Sequence, residues 1–259
     1  MADEKMKGIA LKAVKEAGKI LMDGLGRIHE INYKHETDLV TEVDRLSEEL
    51  IITLIRDRYP DHAILAEEGG KSKGSSPYRW IIDPLDGTTN YAHGYPCFCI
   101  SIALEEDGEV IYGVVYDPTR EELFIAEKEK GATLNGRSIS VSRTEKLTHS
   151  LLCTGFPYDI REGKETNLDH FQRFMMRSQA VRRDGAAALD LCYVAMGRFD
   201  GYWELKLSPW DVAAGNLMVA EAGGTVTDFE GKHFTLSSPK ILASNGRIHR
   251  EMVEVLMGM

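Results

Sequence analysis

The sequence predicts an α+β protein. Three observations predict it: an opening stretch with helical periodicity, a middle section dense in strand and hairpin signals, and a second half in which helix and strand signals alternate. In the opening stretch Met6, Ile9, Ala10, Ala13, Val14, Ala17, Ile20 and Leu21 recur at three-to-four spacing, the pattern of an amphipathic helix laid on a core. A second helix is expected near Thr41, whose hydroxyl can cap it while Asp44, three residues on, closes a capping-box-like turn. Its expected apolar face is Val43, Leu46, Leu50, Leu54 and Ile55, and Tyr59-Pro60 ends it.

Ala63–Ala66 and Arg79–Ile82 read as short buried strands that end in acids, Glu67 and Glu68 after the first and Asp83 after the second. Between them, Gly69 to Pro77 reads as a surface connection. The Asp107-Gly108 and Asn135-Gly136 turns fall among apolar runs at Ile100–Leu104, Val110–Tyr116, Leu123–Ala126 and Ile139–Val141, which predicts antiparallel sheet. Beyond Thr144 the signals give helices within Asn167–Met176 and Gly185–Met196 and a strand near Gly201–Glu204. A helix from Asp211 stopped by Gly223-Gly224, strands at Gly224–Thr227 and Ile241–Ala243, and a closing helix from about Gly246 complete the chain.

With 259 residues, 43% of them hydrophobic, the chain can bury a large core. No linker, low-complexity tract or internal repeat divides it, so a single domain over 1–259 is expected, with two tightly packed halves at roughly 1–144 and 145–259. The net charge of -10 disfavours direct binding to nucleic acid or to an anionic membrane. The start Met-Ala-Asp-Glu-Lys lacks a secretory signal and no uncharged span is long enough for a bilayer, so a cytoplasmic protein is expected. Cys97, Cys99, Cys153 and Cys192 are expected as thiols; Cys97 and Cys99, two apart, would share one face of a strand as small buried hydrophobes.

The most chemically committed stretch is Trp80-Ile81-Ile82-Asp83-Pro84-Leu85-Asp86-Gly87-Thr88-Thr89-Asn90. Two readings fit it. An apolar strand delivers two carboxylates, the oxygen donors that hard divalent cations favour, to a Gly-Thr turn whose amides can face an anion. Asp-Pro and Asp-Gly are also ordinary turn signals, so a tight turn with solvated acids fits the same residues.

Three separated motifs resemble, in order, those of the inositol monophosphatase family of metal-dependent, lithium-sensitive phosphatases, most closely the bacterial inositol-1-monophosphatases. They are Ala66-Glu67-Glu68, Asp83-Pro84-Leu85-Asp86-Gly87-Thr88-Thr89-Asn90 and Trp210-Asp211-Val212-Ala213-Ala214-Gly215. The resemblance spans essentially the whole chain and implies a layered α-β-α-β-α sandwich and a Mg2+-dependent phosphomonoesterase with two to three ions per site. It places Glu67, Asp83 and the Leu85 carbonyl at a first magnesium and Asp83, Asp86 and Asp211 at a second. Glu67 also corresponds to the carboxylate that helps hold a third, looser ion.

Asp44 and Thr88 correspond to the family's pair that orients and deprotonates an attacking water; Asp44 equally suits a first-turn acid favoured at a helix N-terminus. Gly87 with Thr88 resembles the phosphate cradle. Asp86, Asp211, Glu204 and Ala187 of Gly185-Ala186-Ala187 correspond to the wall facing a sugar ring. Trp210 is expected to pack beside the metals, Arg182-Arg183 to be solvated or at a subunit contact, the histidines to lie outside the ligand set, and Lys34–Asp38 to resemble a mobile loop. The family's metal core also serves fructose-1,6-bisphosphate, histidinol phosphate and 3'-phosphonucleotides, while a catalytically silent binding protein is a different class of reading. Family relatives are commonly homodimers.

Overall fold

The computed structural model describes residues 2–27, 31–33 and 39–259, with 31–33 and 39–41 as backbone alone. The Lys34–Asp38 loop, His29, His35 and the Thr41 hydroxyl therefore lie outside what is described. Helix α1 (Glu4–Gly24) opens the chain, and its N-cap is Asp3, whose side chain accepts the Met6 amide at 2.7 Å. The short antiparallel pair β1 (Ile31–Tyr33) and β2 (Leu39–Thr41) leads into α2 (Glu42–Arg56). Then follow β3 (Ala63–Ala66), β4 (Gly70–Ser72), β5 (Tyr78–Asp86) and the five-residue α3 (Thr88–Ala92). Strands β6 (Cys99–Glu106), β7 (Glu109–Asp117), β8 (Glu122–Glu127), β9 (Gly131–Leu134) and β10 (Arg137–Ser138) continue the first sheet. The remainder is β11 (Leu151–Thr154), α4 (Leu168–Met175), β12 (Ala180–Arg182), α5 (Ala187–Ala195), β13 (Gly201–Leu205), α6 (Pro209–Glu221), β14 (Thr225–Thr227), β15 (Lys240–Ser244) and α7 (His249–Leu256).

The first sheet has eight strands in the order β10-β9-β8-β7-β6-β5-β3-β4, parallel at β3/β5. The second has five, β12-β11-β13-β15-β14, with β11 parallel to both β12 and β13. Helices α1 and α2 cover the outer face of the larger sheet, α5 and α6 lie between the sheets, and α4 and α7 back the smaller one, giving the α-β-α-β-α layering. The pleat sorts side chains between layers: Trp80 and Ile82 of β5 join the core under α1 and α2, while Ile81 joins the core around α5 and α6. Cys97 and Cys99 both fall on the latter side, and all four cysteines are free and buried. No helix among the described residues is long and apolar enough to cross a membrane.

The structure departs from the sequence reading in four places. On α2 the buried face is Val43, Asp44, Ser47, Glu48, Ile51 and Ile55, with Leu46 52% exposed, so the helix turns polar side chains inward. Ile139–Val141 is not a strand; Asn135-Gly136, with φ of 49° and 76°, turns β9 back onto the two-residue β10. Gly69–Pro77 is not all loop, because β4 pairs antiparallel with β3. Strands β11 and β12 went unread because their apolar runs are too short for a period to show.

Helix α6 approaches β7 closely enough that a Cβ on Gly113 would sit 3.0 Å from the Ala214 Cα and 3.2 Å from its carbonyl oxygen. The neighbour is backbone, which cannot swing aside. Gly113→Val should therefore destabilise the protein by about 1–3 kcal/mol in denaturant titration, although valine is the better strand former.

Candidate active site

Parallel pairing of β3 and β5 brings two strand ends to the same edge of the sheet. The register that matches Ala66 with Ile82 sets Glu67 level with Asp83. Beyond Asp83 the pairing of β5 with β6 shifts register, at Pro84, which has no amide to donate. Ser47 of α2 donates to the Pro84 carbonyl at 2.9 Å, and the Leu85 amide donates to Asp83 Oδ1 at 3.0 Å. In a regular strand Asp83 and Asp86 would face opposite sides; across this irregularity both line one cavity together with Leu85.

Gly87 then turns with φ 91° and ψ 34°, and a Cβ there would lie 2.8 Å from the Cys97 carbonyl oxygen, so both the conformation and the space call for glycine. The turn delivers Thr88, whose hydroxyl lies 3.0 Å from the Leu85 carbonyl oxygen and 3.2 Å from Asp44 Oδ1. Asp44, 1% exposed, sits behind Thr88 and is not part of the cavity wall.

The second half of the chain completes the wall. Asp86 Oδ1 accepts the Ala187 amide at 3.2 Å and Oδ2 accepts the Ala188 amide at 2.7 Å, so the carboxylate caps the start of α5. Asp211 stands in the first turn of α6, in a capping box with Ser208, whose amide donates to Asp211 Oδ2 at 2.7 Å. Glu204 projects from β13 and accepts the Tyr202 hydroxyl at 2.5 Å on Oε2. It fits because position 155 is glycine: a Cβ there would fall 2.1 Å from Glu204 Oε1.

The cavity has a volume of about 940 Å³, and Glu67, Asp83, Leu85, Asp86, Gly87, Thr88, Glu204 and Asp211 all line it. Of the residues expected at the site, Asp44 reaches it through Thr88, and Ala187 turns its amide to Asp86 instead of lining the cavity. Sequence reasoning missed the segment holding Phe156, Tyr158 and Arg161, as well as Lys206, all of which line the cavity. The cations had one available signal, since an anionic ligand in a chain of net charge -10 needs positive partners. Trp210 lines the cavity beside Asp211. His62 is structural: its Nδ1 accepts the Trp80 indole at 3.1 Å and its ring stacks on Tyr59.

The electrostatics are those of crowded acids. Burial, then repulsion from Glu67, Asp86 and Asp211, raises the Asp83 carboxyl well above the usual carboxylate range. Burial raises Asp86 to about 6, with the Ala188 and Ala187 amides pulling the other way. Asp211 is raised by burial and then by Asp86, against its bond from Ser208. Such a site is short of positive charge, and its donors are hard oxygens, the set suited to a divalent cation such as Mg2+. These carboxylates are not a compact trio. Among the described residues, the three donor atoms lying within 4.8 Å of one another belong to Cys153, Asp184 and Asp190.

The sequence model of the inositol monophosphatase family matches residues 2–257. The chain belongs to the inositol monophosphatase family. It is 48% identical over 250 residues to the inositol-1-monophosphatase of Synechocystis sp., covering 96% of this chain and 87% of that one. It is 45% identical over 260 residues to a Pseudomonas aeruginosa protein named Nus factor SuhB, covering 97% and 95% of the two chains. The solved inositol monophosphatase structure from Anabaena superimposes with a TM-score of 0.89 at 46% identity, covering 97% of this chain and 95% of that one. Membership in the inositol monophosphatase family makes this protein a phosphatase and accounts for the α-β-α-β-α layering.

In the same cavity Glu204 is raised to about 7 chiefly by burial, while the Tyr202 hydroxyl holds it down. Its folded pKa exceeds the usual 4.5, so the folded state binds the extra proton and stability declines as pH rises from about 4.5 through about 7. Tyr202→Phe should move the Glu204 titration upward, read by carboxyl 13C shifts against pH.

Proposed function

We propose that this phosphatase hydrolyses inositol monophosphate to inositol and phosphate, with Mg2+, by direct attack of water. One observation supports the reading above the others: Glu67, Asp83, Leu85, Asp86 and Asp211 share a cavity with Thr88, and Thr88 is backed by buried Asp44. In this reading Glu67, Asp83 and the Leu85 carbonyl hold one ion and Asp83, Asp86 and Asp211 a second, with Glu67 also serving a third. When bound, the ions supply Lewis-acid polarisation of the phosphoryl group and lower the pKa of water.

The chain's own residues supply the rest. The Thr88 hydroxyl carries one proton between two acceptors, so it can accept from a water when it donates to Asp44, and Asp44, as buried base, draws the proton along that path. The Leu85 carbonyl competes with Asp44 for that proton. Gly87, bare of side chain, lets backbone approach the phosphate. Glu204, with Asp86 and Asp211, faces the ring hydroxyls, and the Ala187 amide acts indirectly by holding Asp86. Glu204 also weighs against substrates with a second phosphate at that wall, such as fructose-1,6-bisphosphate, because an acid there repels it.

The same reading carries lithium sensitivity, a homodimer and a cytoplasmic location, with a phosphomonoester instead of nucleic acid or membrane as partner. The Pseudomonas relative's name, Nus factor SuhB, gives the silent-binding alternative its footing. Retention of the Asp44–Thr88 pair favours catalysis, since docking alone needs no water-activating relay.

Purified protein should release phosphate from inositol 1-phosphate only with Mg2+, faster than from fructose-1,6-bisphosphate, histidinol phosphate or a 3'-phosphonucleotide. A folded Asp83→Asn variant with full turnover would refute the metal assignment. Thr88→Val keeps shape and removes the hydroxyl; kcat should fall about 10²–10⁴-fold with KM little changed, in steady-state assays on the same ester.

A further inference from the structure

Outside the lining of the acidic cavity lies a second, smaller group of donors. Cys153 stands on β11, Asp184 in the turn between β12 and α5, and Asp190 on α5, and one donor atom from each lies within 4.8 Å of the other two. Cys153 is 0% exposed and Asp190 1%, while Asp184 is half-buried and gives the group access to solvent. Asp190 Oδ1 has no hydrogen-bond partner among the described residues. A buried carboxyl oxygen left without a partner is costly, and Asp190 stands in a group that also offers a thiol and a second carboxylate, a donor set able to hold a cation.

We propose that Cys153, Asp184 and Asp190 form a further metal site, for a borderline cation of the Zn2+ type, with water as fourth ligand. Thiolate is a poor donor for Mg2+ and a good one for Zn2+. Three protein donors within 4.8 Å of one another can close on one ion at Zn–S of about 2.3 Å and Zn–O of about 2.0–2.2 Å with small side-chain movements. Burial, then the charge of Asp190, raises the Cys153 thiol, and burial, then the charge of Asp184, raises the Asp190 carboxyl against a hydrogen bond with Cys153; metal binding would displace the protons these groups hold.

The location gives the site a positioning role. The Asp184 carbonyl accepts Asn90 Nδ2 at 2.8 Å, and three residues later the Ala187 and Ala188 amides hold Asp86. An ion on Cys153, Asp184 and Asp190 ties β11, the β12–α5 turn and α5 together, fixing the segment that orients Asp86. The site is separate from the magnesium assignment and stands or falls independently of it.

The test is titration of the Mg2+-saturated protein with Co2+, a spectroscopic substitute for Zn2+. One equivalent should produce a near-ultraviolet thiolate-to-cobalt charge-transfer band, displaced by Zn2+, and Zn2+ should raise Tm. Cys153→Ala should lose the band, Asp184→Asn should weaken Co2+ binding about tenfold or more, and Asp83→Asn should leave the band intact. No band in the folded wild-type protein, or a band that survives in Cys153→Ala, overturns the proposal. If Cys153→Ala does not fold, unaltered Co2+ affinity in Asp184→Asn overturns it equally.

Discussion

The grip of two α5 amides on the Asp86 carboxylate is the contact on which the rest of the site depends. Asp86 arrives on β5 of the larger sheet, and the amides belong to a helix leading into the smaller one. Charge-assisted bonds of 3.2 and 2.7 Å therefore fix the spacing between the two walls of the cavity. Glu67, Asp83 and Leu85 come with one wall and Glu204 and Asp211 with the other. Loosening this contact would leave both sheets intact and separate the donors they present.

Keeping these acids together costs stability, and the fold offsets part of that cost locally. Asp86 has the α5 amides, Asp211 its capping box and Asp83 the Leu85 amide. Each is a backbone dipole, not a full positive charge, so the carboxyls stay shifted upward. The remaining deficit is what a divalent cation relieves, and the resulting preference for binding over folding stability is the usual trade at a functional site.

Much of this could be read from the sequence because strong local signals coincide with it. The three-to-four periodicity of α1, the Asp107-Gly108 turn and the carboxylates closing β3 and β5 are properties of contiguous residues. The buried face of α2 was misread for a physical reason: periodicity assigns apolar residues inward, whereas Asp44, Ser47 and Glu48 are buried to serve Thr88, Pro84 and the Glu68 amide. Leu46 is displaced outward as a result. The Cys153, Asp184 and Asp190 group was invisible because its members are brought together by β11 pairing with β12 and by the turn into α5, with no ligand spacing along the chain.

The two halves of the chain are bound by more than the cavity. The core around α5 and α6 draws Ile81, Cys99 and Phe124 from the first half and Leu189, Val212 and Met218 from the second. Gly113 of β7 packs directly on Ala214 of α6, and Gly215 faces Leu191 of α5 at 2.6 Å from a notional Cβ. From this shared, close-packed core we infer one cooperative domain whose two cavity walls fold together. A site divided between separately folding units would have its donor spacing set by a mobile interface; here the same apolar packing that stabilises the fold also sets the distances among the carboxylates.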